Sequence, residues 1–389
     1  MHVNDGLVAN GAYTMIRNRP SRLIASLLNR RVPGKNFALL LFALLGSYFP
    51  AYAAPARLVK HGSRHRGAPL VDNTEGDFAT FDDPIVRQAA IRGLGRFSGS
   101  VVAIDSTNGR ILTIVNQKLA FSAGFKPCST IKPVVAVAAL QEGFVTRDTK
   151  IRVGRRKTLN LTEAMAHSNN AYFEELGRRM GFDTVSSYAR TLGLGELAGY
   201  EIPEEQSGTV PEAPPKRGGV ARMSSFGEGI QMTPLQLGAL VSSFANGGTL
   251  YYLQYPRTEE EKDNFEPRIK RTLDIQSLLP DVRDGMHAAV LRGTARRSNM
   301  PDSEQAAGKT GSCSDSGSRL GWFVSYVDQP DMKMVLVILM RGHTHSVRGP
   351  MAAGIAGHIY HELHAEEYYI KEDTEAVSPD MAITSAQHQ

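Results

Sequence analysis

The chain has 389 residues, enough for one large or two ordinary domains with a full core, and it carries two cysteines. Its formal charge of +5 is unevenly placed: residues 1–53 hold six Lys/Arg and one acid, Asp5, while the remainder balances 38 basic against 38 acidic residues. The high pI therefore reports a targeting segment, and no nucleic-acid partner is expected.

Basic residues precede the apolar run from Phe37 to Leu45, and Ala51-Tyr52-Ala53 follows it. A basic leader, a short apolar core and an A-x-A site make residues 1–53 a secretory signal. The core is shorter than the ~20 residues of a spanning helix. Left uncut, the stretch from Asn36 to Ala56 would serve as a tilted membrane anchor. Met15 is an alternative start. Either way the rest of the chain is expected to be exported, into the periplasm or onto the outer face of the cytoplasmic membrane.

Residues 54–98 read as a linker or N-terminal extension, with a helix from Asp82 to Ile91 capped by Asp82 or Asp83. Two β-branched runs, 99–105 and 110–116, flank Asn108-Gly109, a hairpin signal. The apolar run Val134–Leu140 has helical composition, as do Leu161–Met180, Thr184–Leu192 and Pro234–Ala245. Residues 199–221 form a Pro/Gly/Glu-rich loop, and 256–275 a solvated loop or hairpin. A helix over 280–292 leads to Gly293. Three strand-like runs follow, Ala306–Cys313, Leu320–Val327 and Met332–Met340, then a helix over Gly354–Ala365. Residues 366–389 are acidic and polar with no core pattern, the composition of a disordered tail. No repeat is present. Strands, then helices, then strands and a last helix predict one α/β (α+β) domain whose sheet is built from both ends of the chain.

Chemistry enters at Pro127-Cys128-Ser129-Thr130-Ile131-Lys132. Residues three apart share a helix face, which puts Ser129 and Lys132 within hydrogen-bond reach. A serine hydroxyl is a weak nucleophile until a base takes its proton, and lysine is such a base only when burial and nearby cations lower its pKa. Alone, this pattern is better read as a capping serine followed by a surface lysine. Two further stretches follow in order: Ser168-Asn169-Asn170, and Lys309-Thr310-Gly311-Ser312 after the small residues Ala306-Ala307-Gly308. Singly, these would be turn residues and a strand end.

Together the three stretches resemble the S-x-x-K, S-x-N and K-T-G motifs of the serine penicillin-recognising enzymes. Gly227-Glu228-Gly229-Ile230-Gln231-Met232-Thr233-Pro234-Leu235-Gln236, Ala245-Asn246-Gly247-Gly248, Gly285-Met286, Gly293-Thr294-Ala295 and Gly321-Trp322-Phe323 are similar to the text between and around those motifs in penicillin-binding proteins. The resemblance covers about residues 99–365. It implies a β-lactamase/transpeptidase-like fold, an antiparallel five-stranded sheet flanked by helices with an inserted all-helical subdomain.

It also implies roles. Ser129 would attack a D-Ala-D-Ala stem peptide to form an acyl-enzyme, Lys132 would take its proton, and Ser168 would relay the proton to the leaving D-alanine. Asn170 would hold the substrate amide. Lys309, Thr310 and Ser312 would hold the terminal carboxylate, and Gly311 would let the strand approach. The backbone N–H groups of Ser129 and Ser312 would hold the oxyanion. β-Lactams would be covalent inhibitors, and no cofactor or metal is called for. Cys128 and Cys313 directly flank the first and third motifs, as in some carbapenemases with a disulfide at these offsets. An oxidising compartment permits that bond; two buried thiols are the alternative.

Other residues have plainer readings. Glu163 suits a capping box, Trp322 a core position, and His343 and His345 a strand end or loop. The resemblance implies a D,D-transpeptidase first, and a D,D-carboxypeptidase, an endopeptidase or a β-lactamase as alternatives on the same residues. Glu201, Glu204, Glu205 and Glu212 in the 199–221 loop lack the E-x-x-L-N pattern with which class A β-lactamases activate water. A β-lactam sensor would need a cytoplasmic effector, for which the residues before the apolar core are few. Only about 45 residues separate the leader from the first strand, which argues against the long pedestal of many penicillin-binding proteins.

Overall fold

The computed structural model describes residues 71–300, 306–327 and 333–368. The expected signal or anchor, the first part of the expected linker and the tail from 369 lie outside them. Among the described residues, no helix is long and apolar enough to cross a membrane.

Five strands form the central sheet: β1 (Gly99–Asp105), β2 (Ile111–Val115), β3 (Ala306–Asp315), β4 (Ser318–Val327) and β5 (Met334–Gly342). Their order is β2-β1-β5-β4-β3, and every pair is antiparallel. The two N-terminal strands thus join the three C-terminal ones through β1 and β5, with Gly99 opposite Met340 and Asp105 opposite Met334. At the β1–β2 turn Gly109 has φ +82°, and the Asp105 carboxylate accepts hydrogen bonds from Thr107 and Asn108.

Side-chain alternation sets the layers. Val101 and Ala103 of β1, with Leu336, Ile338 and Met340 of β5, join one core. Val102 and Ile104, with Val335, Val337 and Leu339, join the other. The first core is closed by α1 (Pro84–Leu94) and the C-terminal helix, Gly349–Ala365. Proline opens α1 where no N–H partner is needed, and Asp83 caps it by accepting from Ile85 N and Val86 N. Residues 71–98 are therefore no linker: Val86, Ala89, Ala90 and Leu94 are part of the core, and Asn73 bonds both Phe97 and Gly99. Tyr368 likewise belongs to the fold and not to a tail, since it is buried and its hydroxyl donates to Asp83.

The opposite face carries the insertion between β2 and β3. Apart from two short helices, Gln117–Ala120 and Glu259–Asp263, its helices are α2 (Lys132–Gln141), α3 (Leu161–Ala166), α4 (Asn170–Thr191), α5 (Gly219–Phe226), α6 (Pro234–Ala245) and α7 (Leu279–Leu291). The C-terminal helix is α8. The insertion also holds two short two-stranded ribbons, Ile151–Arg152 with Thr158–Leu159 and Thr249–Tyr251 with Ile269–Thr272. α2 is buried on every side from Lys132 to Ala139, which explains its unbroken apolar sequence. Thr233 and Gln236 form a reciprocal capping box at α6.

Three boundaries differ from the sequence reading. The expected helix over Leu161–Met180 is cut at His167–Asn169, because Asn169 caps a new helix by accepting from Tyr172 N. That helix then runs on through a bend at Gly181 (φ +81°) instead of stopping there. α8 begins at Gly349, five residues early, with Pro350 in its first turn.

Candidate active site

The nucleophile turn is a short 3-10 segment, Cys128–Ile131, that runs directly into α2. Thr130 fastens it: its N–H and its hydroxyl both donate to Pro127 O, at 3.2 and 2.6 Å. The indole N–H of buried Trp322, on β4, donates to Lys126 O at 3.1 Å. These bonds place Ser129 at the mouth of the cleft, 8 % exposed, with Lys132 one turn deeper and 0 % exposed.

Lys132 Nζ lies 2.8 Å from Ser129 Oγ, 2.9 Å from the Ser168 carbonyl oxygen, 3.1 Å from Ser168 Oγ and 2.7 Å from Asn170 Oδ1. The Ser168 carbonyl and Asn170 Oδ1 can only accept. They take the two hydrogens of a neutral amine and leave its lone pair for a serine hydroxyl. Burial, and then the charge of Lys309, hold the Lys132 pKa well below the ordinary lysine value, while Glu174 acts in the opposite direction. Glu174 is itself engaged by Arg178 and Ser225.

Ser168 has φ +52° and Cys128 φ +54°, left-handed backbone that costs a non-glycine residue roughly 1–2 kcal/mol. At Ser168 the conformation turns the carbonyl and the hydroxyl to the same lysine. The break between α3 and α4 serves this purpose. With Asn169 as the cap, Asn170 is left to face Lys132.

β3 forms the other wall. Lys309 Nζ donates to Ser168 Oγ at 2.8 Å and to Thr310 O at 2.9 Å, and complete burial lowers its pKa to about 7. Gly311 is the point of closest approach, since a Cβ there would lie 3.0 Å from Pro127 O and 3.2 Å from Thr130 Cγ2. Ser312 Oγ accepts from Gly349 N, the start of α8, at 2.8 Å. Cys313 is bonded to Cys128, with Cα atoms 5.6 Å apart. One cleft thus gathers Ser129, Lys132, Ser168, Asn170, Lys309, Thr310, Gly311 and Ser312. A hydroxyl held against an amine whose pKa burial lowers, beside a second lysine and two more hydroxyls, is an arrangement for covalent acyl transfer.

The sequence profile of the penicillin binding protein transpeptidase domain matches residues 99–361. The chain belongs to this family. Among curated relatives of the transpeptidase domain, stage V sporulation protein D of Bacillus subtilis is 26% identical over 281 residues, covering 64% of this chain and 43% of that protein. Penicillin-binding protein 1A of Aquifex aeolicus is 27% identical over 300 residues, covering 68% and 38%. Peptidoglycan D,D-transpeptidase MrdA of Escherichia coli is 26% identical over 221 residues, covering 48% and 35%. The chain spans less than half the length of each. The solved transpeptidase domain of Burkholderia pseudomallei penicillin-binding protein 3 shares the fold at a TM-score of 0.61 and 19% identity, covering 73% of this chain and 92% of that one.

Other candidates of the sequence lie apart from the transpeptidase cleft. The carboxylate of Glu163 makes no capping box: Asn160 caps α3, and Glu163 pairs with Arg292 and His167. Glu204 pairs with Arg257, Glu212 with Arg190, and buried Glu205 accepts from Ala198 N and Gly199 N. Glu201 is exposed. His343 and His345 follow the end of β5, and no cluster of three or more metal-ligating residues forms among the described residues. One cleft residue escaped sequence reasoning as a site residue, Thr294, whose hydroxyl lies 2.6 Å from that of Thr310. Nothing in its local sequence, a small residue after a helix, signals that contact.

Proposed function

We propose that this chain is an exported serine D,D-transpeptidase that cross-links peptidoglycan stem peptides ending in D-Ala-D-Ala. The observation that carries the proposal is the Lys132 amine, which touches Ser129, Ser168 and Asn170 at once while burial and Lys309 depress its pKa. Ser129 Oγ attacks the carbonyl of the penultimate D-alanine as its proton passes to Lys132. The oxyanion rests on the N–H groups of Ser129 and Ser312. Collapse breaks the C–N bond, and Ser168, bonded to both lysines, returns the proton to the departing D-alanine nitrogen. The amine of a second stem peptide then attacks the ester and frees Ser129.

Asn170 is the amide-binding group. Lys309, Thr310 and Ser312 receive the terminal carboxylate, and Lys309 in its cationic form gives that contact its charge. β-Lactams enter as covalent inhibitors by the same attack. Four observations favour slow hydrolysis of the acyl-enzyme: Glu174 is turned to Arg178 and Ser225, and Glu204, Glu205 and Glu212 are engaged elsewhere. The disulfide supports export to an oxidising compartment, with residues 1–53 as the signal or anchor.

The test is a time course of labelling by a fluorescent penicillin with intact mass at each point. A long-lived adduct on Ser129, absent in Ser129→Ala at unchanged Tm, is the expected result. Labelling of another residue in that variant, or rapid turnover with no lasting adduct, would overturn the transpeptidase assignment. Gly311→Val is expected to lower the labelling rate at least ~100-fold and Tm by a few degrees, because its side chain would push β3 off the nucleophile turn. Labelling at the wild-type rate would show that the strand does not set the cleft.

A further inference from the structure

Thr310 is 4 % exposed, and its hydroxyl has one hydrogen to give. A carboxylate can only accept, so a Thr310 that binds one must spend that hydrogen on it. Its remaining neighbour must then be a donor. That neighbour is Thr294, at 2.6 Å. We infer that Thr294 is a positioning residue of the carboxylate site: its hydroxyl donates to Thr310 Oγ1, which turns the Thr310 hydrogen into the cleft. The inference rests on the proposed role of Thr310 as a carboxylate ligand.

The backbone around Thr294 is fixed by the opposite wall. Thr294 N donates to Ala166 O at 3.1 Å, two residues before Ser168. Gly293 lies so close to that carbonyl that a Cβ would come within 2.1 Å of it. Ala295 is fully buried, and its N–H donates to Ala289 O at 2.9 Å. The Thr294 hydroxyl is thus carried on a segment anchored to the end of α3 and presented to β3. A hydroxyl chain Thr294→Thr310→carboxylate is cooperative, since each donor is polarised by the one behind it. Ser312 is handled in parallel: Gly349 N–H occupies one of its lone pairs and leaves its hydrogen to be given.

The proposal separates from a purely structural role by the charge of the ligand. On one preparation of the full chain, second-order acylation rates are measured with a penicillin and with its methyl ester, and their ratio is taken. The ratio does not depend on the fraction folded, so a poorly folding variant still reports it. The wild type is expected to prefer the free acid by at least tenfold. Thr294→Val and Thr294→Ala are expected to lower that preference about tenfold, chiefly by slowing the acid, and Thr294→Ser to restore it to within twofold. A ratio unchanged in Val and Ala would overturn the proposal, as would a ratio lost in Ser, which keeps the hydroxyl. A wild type labelled on Ser129 with no preference for the acid would remove the carboxylate role of Thr310 and this inference with it. A wild type not labelled at all would sink the parent assignment instead.

Discussion

Replacing Lys132 by methionine should abolish acylation of Ser129 at neutral pH, by a factor of at least ~10⁴, with a Tm within a few degrees of wild type. The rate effect follows from the loss of the amine against Ser129 Oγ, since among the described residues no second side chain hydrogen-bonds that oxygen to take the proton. The stability effect is small because two terms oppose. Methionine strands Asn170 Oδ1 and the Ser168 carbonyl, part-buried acceptors for which the loss of a donor costs at most roughly 1–3 kcal/mol each. It also removes an amine whose folded pKa lies below its unfolded one. Between those two pKa values the unfolded chain holds a proton that the folded chain has given up, so wild-type stability falls as pH drops through that window, at about 1.4 kcal/mol per unit. The same pKa sets the acid limb of the wild-type acylation profile, where Lys132 must be neutral. Lys309, at about 7 in the empty site, sets the alkaline limb, because it must be charged to hold a carboxylate. A pH–rate profile flat from 7 to 9 would remove the Lys309 charge from the site, and a Lys132→Met enzyme labelled at the wild-type rate would remove the amine from the mechanism.

The second large effect is expected at the disulfide. Cys128 and Cys313 close a loop of 185 residues, for which chain entropy gives about 5 kcal/mol, or roughly 10 °C in Tm for a domain of this size. The double variant Cys128→Ser/Cys313→Ser should melt lower by about that amount and should no longer respond to reductant. Acylation at 25 °C should fall less than tenfold, because the Thr130 and Trp322 bonds to Pro127 and Lys126 still hold the nucleophile turn. Melting curves with and without dithiothreitol, with thiols counted by mass, decide it. A reduced wild type that melts with the oxidised one would show that the bond staples nothing.

What sequence reasoning reached follows from range. Ser129 and Lys132 are three residues apart, the Asn108-Gly109 turn is local, and α6 carries its own cap and proline, so each was legible from its neighbours. The third motif was legible only through its likeness to a known family, because the contact of Lys309 with Ser168 spans 141 residues. Hidden features have no local signature. The cut between α3 and α4 occurs inside helix-forming text because Asn169 outcompetes continuation, and it is this cut that frees Asn170. Glu163 sits where a capping box would use it, but Arg292, brought alongside by tertiary packing, takes its carboxylate. Residues 71–98 read as linker because their apolar stripe is narrow, although it seals one face of the sheet.

The sheet that unites the first and last strands has a consequence for the chain as it is made. β1 leaves the ribosome early, but its partner β5 follows roughly 240 residues later. Until then β1 has only β2 to pair with, and a lone two-stranded hairpin is marginal in water. A nascent chain halted anywhere before β3 therefore holds a nucleophile turn with no strand of the C-terminal half to fold against. The chain stays open for most of its synthesis, exposed to proteases until the last strand arrives.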